Sequence, residues 1–233
     1  MLTERGSRLQ PEPMGEELDR KLGARRQAEV VASLRRMARG TGSPSVRDGN
    51  GAGQEERCDL CGTVMTPDHR HLLHLTERRI LCVCESCLAL RGGDAEYRPT
   101  GTRVVWLADL ELPDELWATF SIPIGLAFFL RSSVTGGVVA FYPSPAGATE
   151  SELDMEAWEE LVRANPILAS LENDAEALVV NRLAQPNEHA IAPIDECYRL
   201  VGMIKISWQG VSGGSGPEEA ITGFFAELRE RAQ

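Results

Sequence analysis

Five of the six cysteines in this chain lie within thirty residues, between Cys58 and Cys87. Four of them form two Cys-x-x-Cys pairs, Cys58 with Cys61 and Cys84 with Cys87. Two such turns that close on one cation supply four thiolates at the corners of a tetrahedron. Gly62 follows the first pair, at a point where backbone N–H groups must turn toward the sulfurs and a Cβ would obstruct them. The spacing therefore predicts a metal site with these four cysteines as ligands.

The segment between the two cysteine pairs has the pattern of a β-hairpin. Residues 72–83 carry Leu, Ile and Val on both sides of polar residues, and we expect the chain to turn near Glu77–Arg79. Two cysteine knuckles separated by a hairpin are the layout of a zinc ribbon. The sequence therefore predicts a zinc-ribbon-like metal module over residues 56–98.

Cys82 is the fifth cysteine of this region, two residues before Cys84 and on the same face of the predicted strand. It is interpreted as a free thiol, an alternate ligand or a small buried apolar residue. Zinc is the expected metal, and mononuclear iron in a rubredoxin-type site is the alternative, although the motif Cys-Pro-x-Cys-Gly does not occur. Disulfides are disfavoured, because no apolar signal-peptide segment follows Met1 and the cytosol is reducing.

Other residues that could carry chemistry are interpreted as structural. With four cysteines sufficient, His69, His71 and His74 are expected to be surface or hairpin side chains that would ligate a metal only if one knuckle failed. His189 is expected to be a hydrogen-bonded structural histidine, and Cys197, on the apolar stripe of a predicted helix, a buried inert thiol. A Cys197–His189 pair stays open as an alternative, since the sequence does not place the two side chains together.

Charge is divided unevenly along the 233 residues. Residues 1–103 hold 17 Lys and Arg against 15 Asp and Glu (net +2), and residues 104–233 hold 7 against 20 (net −13). So acidic a segment disfavours nucleic acid and anionic membranes as partners and tolerates a basic protein surface. The longest apolar run, residues 122–130, is too short to span a bilayer, and we expect a soluble cytoplasmic protein.

Three regions are predicted. Residues 1–55 form a flexible N-terminal arm with a helix over 15–39 and a Gly-rich linker, 56–98 the metal module, and 99–233 an acidic α+β domain. Strands grouped before helices favour α+β over a doubly wound sheet. Predicted strands in the acidic domain are 103–107, 124–131, 138–142 and 177–183; predicted helices are 114–120, one carrying Leu153 to Leu161, one capped by Asp195, and one beginning at Pro217.

Two further features of the acidic domain argue for structure rather than catalysis. The carboxylates of residues 150–160 are expected on a solvated helix face, after a break in the chain at residues 143–147. The Gly-rich loop 210–216 lacks Gly-Lys-Ser/Thr and precedes glutamates that would repel a phosphate, so it is interpreted as a loop and cap. No Ser/His/Asp or metal-hydrolase motif occurs, and we expect no enzyme activity.

Three stretches carry a resemblance to a known family: residues 122–130, residues 138–151, and residues 195–202 followed by 208–214. Together with the cysteine pairs, they resemble an uncharacterised bacterial family encoded beside nickel–iron hydrogenase genes, over residues 56–231. The resemblance implies cytoplasmic assembly work among maturation proteins, with no established active site and hence no catalytic residue to carry over.

The sequence therefore leaves two main alternatives for the function. The first is a non-enzymatic, zinc-binding accessory protein that contacts a hydrogenase subunit or a maturation factor. The second is a redox protein that serves a hydrogenase, either rubredoxin-like or thiol-based through Cys82. A nucleic-acid-binding ribbon is a weaker third interpretation, which the acidic domain opposes.

Overall fold

The computed structural model describes residues 55–144, 147–208 and 215–232. The helix expected over 15–39 and most of the Gly-rich loop 210–216 lie outside the described residues. The described part of the chain contains two antiparallel sheets and five α-helices. The predicted α+β class is therefore confirmed.

The smaller sheet is a hairpin with one added strand. It has the order β2-β1-β3, formed by β1 (Arg70–His74), β2 (Arg79–Val83) and β3 (Tyr97–Pro99). Helix α1 (Glu85–Arg91) follows β2 directly. The expected hairpin is confirmed, but its turn lies slightly earlier than predicted, because Arg79 already belongs to β2. We call this sheet, α1 and the two cysteine pairs the ribbon.

The larger sheet has six antiparallel strands in the order β4-β9-β8-β5-β6-β7. Its central strands are buried on both faces and read as nearly continuous apolar runs. The strands are β4 (Val105–Trp106), β5 (Leu126–Arg131), β6 (Val138–Ser144), β7 (Gly147–Ser151), β8 (Glu176–Asn181) and β9 (Glu188–Pro193). We call this sheet and the helices on it the body.

Helices cover both faces of the large sheet. One face packs against α4 (Ile194–Ser207) and α5 (Gly216–Arg231), with Phe128 among the sheet residues in that core. The other face packs against α2 (Asp114–Thr119) and α3 (Met155–Ala164), through the neighbouring residue Phe129. A 3-10 turn (Pro166–Ser170) follows α3. The side chains of β5 therefore alternate between two cores.

The prolines after Tyr142 had indicated a break in the strand, but the structure shows none at that point. β6 continues to Ser144, and residues 147–151 form β7, which pairs with it. Pro143 lies beyond the ladder that β6 makes with β5, so no hydrogen bond of that ladder requires its N–H. The carboxylate run is therefore not a single helix face: Glu150 lies on β7, and Asp154 is the N-cap of α3, accepting from the N–H of Ala157.

Three other local predictions need correction. β4 has two residues rather than the five predicted over 103–107. β9 was missed, because its small alanines and terminal Pro193 give a weak strand pattern. Helix α4 begins at Ile194 with Pro193 at its N-cap, so Asp195 is not the cap; its carboxylate instead accepts a hydrogen bond from His71 of the ribbon.

Candidate metal centre

The first cysteine pair lies on a tight knuckle before the hairpin. The N–H of Cys58 donates to the carbonyl of Thr63 at 2.9 Å, and the N–H of Gly62 donates to the carbonyl of Cys58 at 2.8 Å. Gly62 has a φ of 75°, a conformation that a residue with a Cβ adopts at a cost. The glycine predicted from the sequence is thus the residue that lets the chain fold back around Cys61.

The second pair sits where β2 runs into α1. Cys84 is the residue before α1 and its carbonyl accepts from the N–H of Leu88 at 2.9 Å, so the strand ends and the helix begins within one residue. Cys87 then lies in the first turn of that helix. The N–H of Asp59 donates to the carbonyl of Cys82 at 2.8 Å, which ties the first knuckle to the end of β2. These contacts bring the two pairs together.

The four sulfur atoms of Cys58, Cys61, Cys84 and Cys87 lie within 4.8 Å of one another. Cys61 Sγ and Cys84 Sγ, one from each pair, are 3.7 Å apart. A zinc ion with Zn–S bonds of about 2.3 Å places its sulfurs about 3.8 Å apart in a tetrahedron. A disulfide would need about 2.05 Å. The spacing therefore fits a four-coordinate metal ion, and the described residues supply all four ligands.

Hydrogen bonds shift the pKa values of three of these thiols in different directions. A hydrogen bond with the Thr63 hydroxyl lowers the pKa of Cys61 to about 6. Burial opposes ionisation of Cys58, but the backbone N–H groups directed at its sulfur outweigh burial and lower its pKa. The hydrogen bond with Cys61 raises the pKa of Cys87 to about 12. A divalent cation bound among the sulfur atoms favours the thiolate form of the cysteines that ligate it.

Cys82 does not join this set, although it was predicted on the same face as Cys84. Its sulfur lies with His69 and His71, the three ligand atoms being within 4.8 Å of one another. The reason is that β2 ends at Val83, so the strand alternation does not carry on to Cys84. The structure therefore separates the five cysteines into a four-cysteine centre and a second group, which we call the His–Cys cluster (His69, His71 and Cys82).

The His–Cys cluster lies where the ribbon meets the body. His71 Nδ1 donates to Asp195 Oδ2 at 2.7 Å. Burial alone would lower the pKa of His71, but the hydrogen bond to Asp195 and the neighbouring Cys82 reverse this and raise it to about 10. His71 therefore lies on the hairpin, as expected, and in addition has a partner outside it. It anchors β1 to the first turn of α4.

Comparison with known proteins places residues 57–232 in one family. A model of a family of unknown function, DUF5947, matches residues 57–232. The chain belongs to DUF5947. Searches of curated proteins and of solved structures returned no match. The family match spans both cysteine pairs, the His–Cys cluster and the whole body.

The structure of this DUF5947 member also tests the predictions for Cys197 and His189. Cys197 is fully buried, its thiol donates to the carbonyl of Pro193 at 3.6 Å, and burial raises its pKa well above the usual value. The predicted burial of this thiol is thus confirmed. His189 is buried as expected, but neither ring nitrogen has a hydrogen-bond partner among the described residues, and burial lowers its pKa. The prediction of a hydrogen-bonded histidine was wrong.

Sequence reasoning missed the His–Cys cluster in this DUF5947 chain because it depends on hairpin register. In the β1–β2 ladder His71 lies opposite Cys82, and His74 opposite Arg79. A turn centred near residue 78 would have placed His71 opposite a later residue. The alternation His69-x-His71 was the available signal, since it puts both imidazoles on one face. Asp195 had no such signal, because it is 124 positions away along the sequence.

No helix in the described ranges is both long enough and apolar enough to cross a membrane.

Proposed function

We propose that this chain is a non-enzymatic accessory protein of the cytoplasm, in which a structural zinc ion supports a protein-binding ribbon and body. The convergence of the sulfurs of Cys58, Cys61, Cys84 and Cys87 carries the proposal. Zinc with four thiolates has no open position for water or substrate, whereas catalytic zinc keeps one. The role of this centre is then to hold the ribbon's shape.

The ribbon's small core supports a structural role for the metal. The buried apolar residues of this core are Cys58, Leu72, Leu81 and Val83, and Leu73 is the one further buried apolar side chain of β1, on its other face. So few buried side chains cannot offset the conformational entropy of a module of this size, and small modules of this kind depend on a metal or disulfides. Metal binding therefore supplies folding free energy directly.

The exposed charges support a protein partner with a basic surface. Helix α3 buries Trp158 and Leu161 and presents Glu156, Glu159 and Glu160 to solvent. Carboxylates on the rim of an interface accelerate association with a basic partner and repel phosphate backbones. We propose that α3 is part of the docking surface.

The identity of the partner rests on resemblance. The family that the sequence resembles is encoded beside nickel–iron hydrogenase genes, and we propose that the partner is a hydrogenase subunit or a maturation factor. The chain would then act during assembly, by holding a subunit rather than by converting a substrate.

Deletion of the gene from a hydrogenase-producing host tests this proposal. We expect lower hydrogenase activity and lower nickel incorporation, with subunit transcripts unchanged. Complementation with the Cys58→Ser variant should fail, because the ribbon loses its metal. Normal activity and normal nickel incorporation in the deletion strain would refute the assembly role.

Charge reversal on α3 tests the docking surface without touching the metal. The triple variant Glu156→Lys, Glu159→Lys, Glu160→Lys should keep its zinc and complement poorly. The matched control reverses Glu218 and Glu219, which are exposed on α5, on the opposite face of the large sheet. Equal complementation by both variants would exclude α3 as the docking surface.

One observation favours the redox alternative. Cys61 is exposed, so an iron ion bound at this centre would lie close to the surface, where an electron-transfer partner could approach it. The colour of the protein distinguishes the two metals, because iron on four thiolates is red and zinc is colourless. A deletion strain whose hydrogenase is fully matured but fails to pass electrons onward would favour this alternative.

A further inference from the structure

The His–Cys cluster lies on the opposite face of the hairpin from the ribbon's small core. Leu72 and Leu81 are register partners and point into that core. The adjacent pair, His71 and Cys82, must therefore point the other way, toward the body. His69 precedes His71 by two residues and its ring lies edge-on to that of His71, with centroids 4.8 Å apart.

His69 offers one nitrogen to the cluster and uses the other to fix its orientation. Its Nδ1 lies 3.1 Å from the carbonyl oxygen of Thr66 and 3.2 Å from Glu56 Oε2. Both atoms are acceptors, so Nδ1 carries the proton and Nε2 of the neutral ring carries a lone pair. Nε2 is buried without a hydrogen-bond partner among the described residues, and only 9% of the side chain is exposed. Such an atom lacks a positively polarised group to contact.

His71 repeats this arrangement. Its Nδ1 donates to Asp195 Oδ2 at 2.7 Å, so Nε2 faces away from Asp195 and toward Cys82, and a metal ion bound there takes the place of the proton that the two side chains share. A histidine that ligates a metal ion commonly donates its other ring N–H to a carbonyl or carboxylate, which fixes the tautomer and the ring. Both histidines of the cluster show that pattern, one with a carbonyl and one with a carboxylate.

From this geometry we infer that the His–Cys cluster is a second metal site, which binds one divalent late first-row transition-metal ion. The ligands are His69 Nε2, His71 Nε2 and Cys82 Sγ. Imidazole and thiolate together suit zinc, cobalt, nickel or copper rather than magnesium or calcium. Three protein ligands leave a fourth position for water or a small ligand. The site is independent of the proposed function of the four-cysteine centre.

The spacing of the ligand atoms is compatible with this site. They lie within 4.8 Å of one another. A tetrahedral ion bound at about 2.0–2.3 Å requires separations of about 3.3–3.8 Å. Side-chain rotations that draw the atoms inward by about 1 Å are sufficient to close the site.

A metal ion accounts for more of the cluster than a nucleophilic triad does. Cys82, His71 and Asp195 stand in the order thiol, imidazole, carboxylate, which is also the order of a cysteine nucleophile with its base. That interpretation leaves the buried His69 Nε2 without a partner. A cation accepts a lone pair from Cys82 Sγ, from His71 Nε2 and from His69 Nε2 at the same time.

Cobalt(II) titration of the full-length protein, with the metal of its four-cysteine centre in place, tests the inference. Cobalt should bind one further equivalent and give a thiolate-to-cobalt charge-transfer band together with the d–d bands of a four-coordinate ion. Cys82→Ser should abolish the charge-transfer band, and His69→Gln should weaken binding strongly. Asp195→Ala, which removes a positioning residue, should weaken cobalt affinity about 10–100-fold with the charge-transfer band kept at saturation.

His74→Gln is the matched control, since His74 lies on the same strand but stacks edge-on against Tyr97 outside the cluster. It should bind cobalt like the parent protein. Zinc content and thermal unfolding of each variant establish that the fold is kept. The inference is overturned if the parent binds no further cobalt, or if Cys82→Ser and His69→Gln bind it as well as His74→Gln does. Loss of the tightly bound metal in Cys82→Ser would instead place Cys82 in the first centre.

Discussion

His71 Nδ1 donates to Asp195 Oδ2 at 2.7 Å, and this contact joins the ribbon to the body across 124 positions of sequence. His71 lies on β1 and Asp195 in the first turn of α4, where a carboxylate is also favoured by the helix dipole. Ile80 of β2 packs nearby against the core between α4, α5 and the large sheet. The ribbon's position on the body therefore depends on a charged contact beside an apolar one.

The first prediction concerns the pH dependence of this contact, in protein without a cation in the His–Cys cluster. The folded protein raises the pKa of His71 from 6.5 to about 10, so between these values it holds a proton that the unfolded chain has released. The stabilisation is complete below about pH 6.5 and is lost as the pH rises toward about 10. The difference in Tm between the parent and His71→Gln should shrink over that range.

The same comparison in an Asp195→Asn background is its control. Without the carboxylate the histidine has lost the stronger of the two partners that raise its pKa and keeps only Cys82, so the effect of His71→Gln on Tm should depend on pH much less steeply. A difference that stays constant from pH 6.5 to 10 in the parent background would show that the ion pair contributes nothing to folding.

The second prediction concerns the tip of the hairpin. Arg78 forms an ion pair with Glu150 of β7, and its guanidinium lies 5.3 Å from the ring centroid of Phe141. A cation–π contact of this kind is worth about 0.5–2 kcal/mol. Arg78→Ala should lower Tm by about 2–4 °C for each kcal/mol lost. Thermal unfolding followed by circular dichroism measures this.

Two further substitutions at the hairpin tip distinguish the loss of side-chain contacts from a change in backbone strain, both measured as a change in Tm. Arg78 has a φ of 50°, so Arg78→Gly relieves backbone strain while losing the same contacts and should be less destabilising than Arg78→Ala. Arg79→Ala removes an exposed pair with Glu77 within the hairpin and should change Tm little. Equal losses in Arg78→Ala and Arg79→Ala would contradict a docking role for Arg78.

The sequence was sufficient to predict those features that depend on residues close together along the chain. The two cysteine pairs, Gly62 and the hairpin between them specify the four-cysteine centre, because each knuckle depends only on neighbouring residues. The continuous apolar run of β5 likewise identifies a strand buried on both faces. Long-range contacts could not be predicted from the sequence. The strand register that places His71 opposite Cys82 and the contact of Asp195 with His71 both depend on tertiary packing, which no local sequence pattern encodes.

The third prediction concerns the choice between Cys82 and Cys84 as a ligand of the first centre. Cys84→Ser should lose the tightly bound zinc, since Cys84 Sγ lies 3.7 Å from Cys61 Sγ in the four-cysteine group. Cys82→Ser should retain about one zinc per chain. Elemental analysis after dialysis against a weak chelator measures both. The reverse pattern would mean that Cys82 is the ligand.

The fourth prediction concerns the N-terminal arm. Removing residues 1–52 should leave a folded protein with an unchanged Tm, because this polar segment offers little apolar surface and the family match begins at residue 57. A fall of several degrees would show that apolar residues of this segment, among them Val30, Val31, Leu34 and Met37, contribute to the core.

The most direct test of the account is the zinc X-ray absorption spectrum of the Cys82→Ser variant. Because this variant lacks the thiolate of the His–Cys cluster, every sulfur around the tightly bound metal must come from the four-cysteine centre. We expect about one zinc per chain, surrounded by four sulfur atoms at about 2.3 Å and by no nitrogen. A red, iron-containing protein, or a zinc ion with a nitrogen or oxygen ligand, would contradict a closed structural zinc centre.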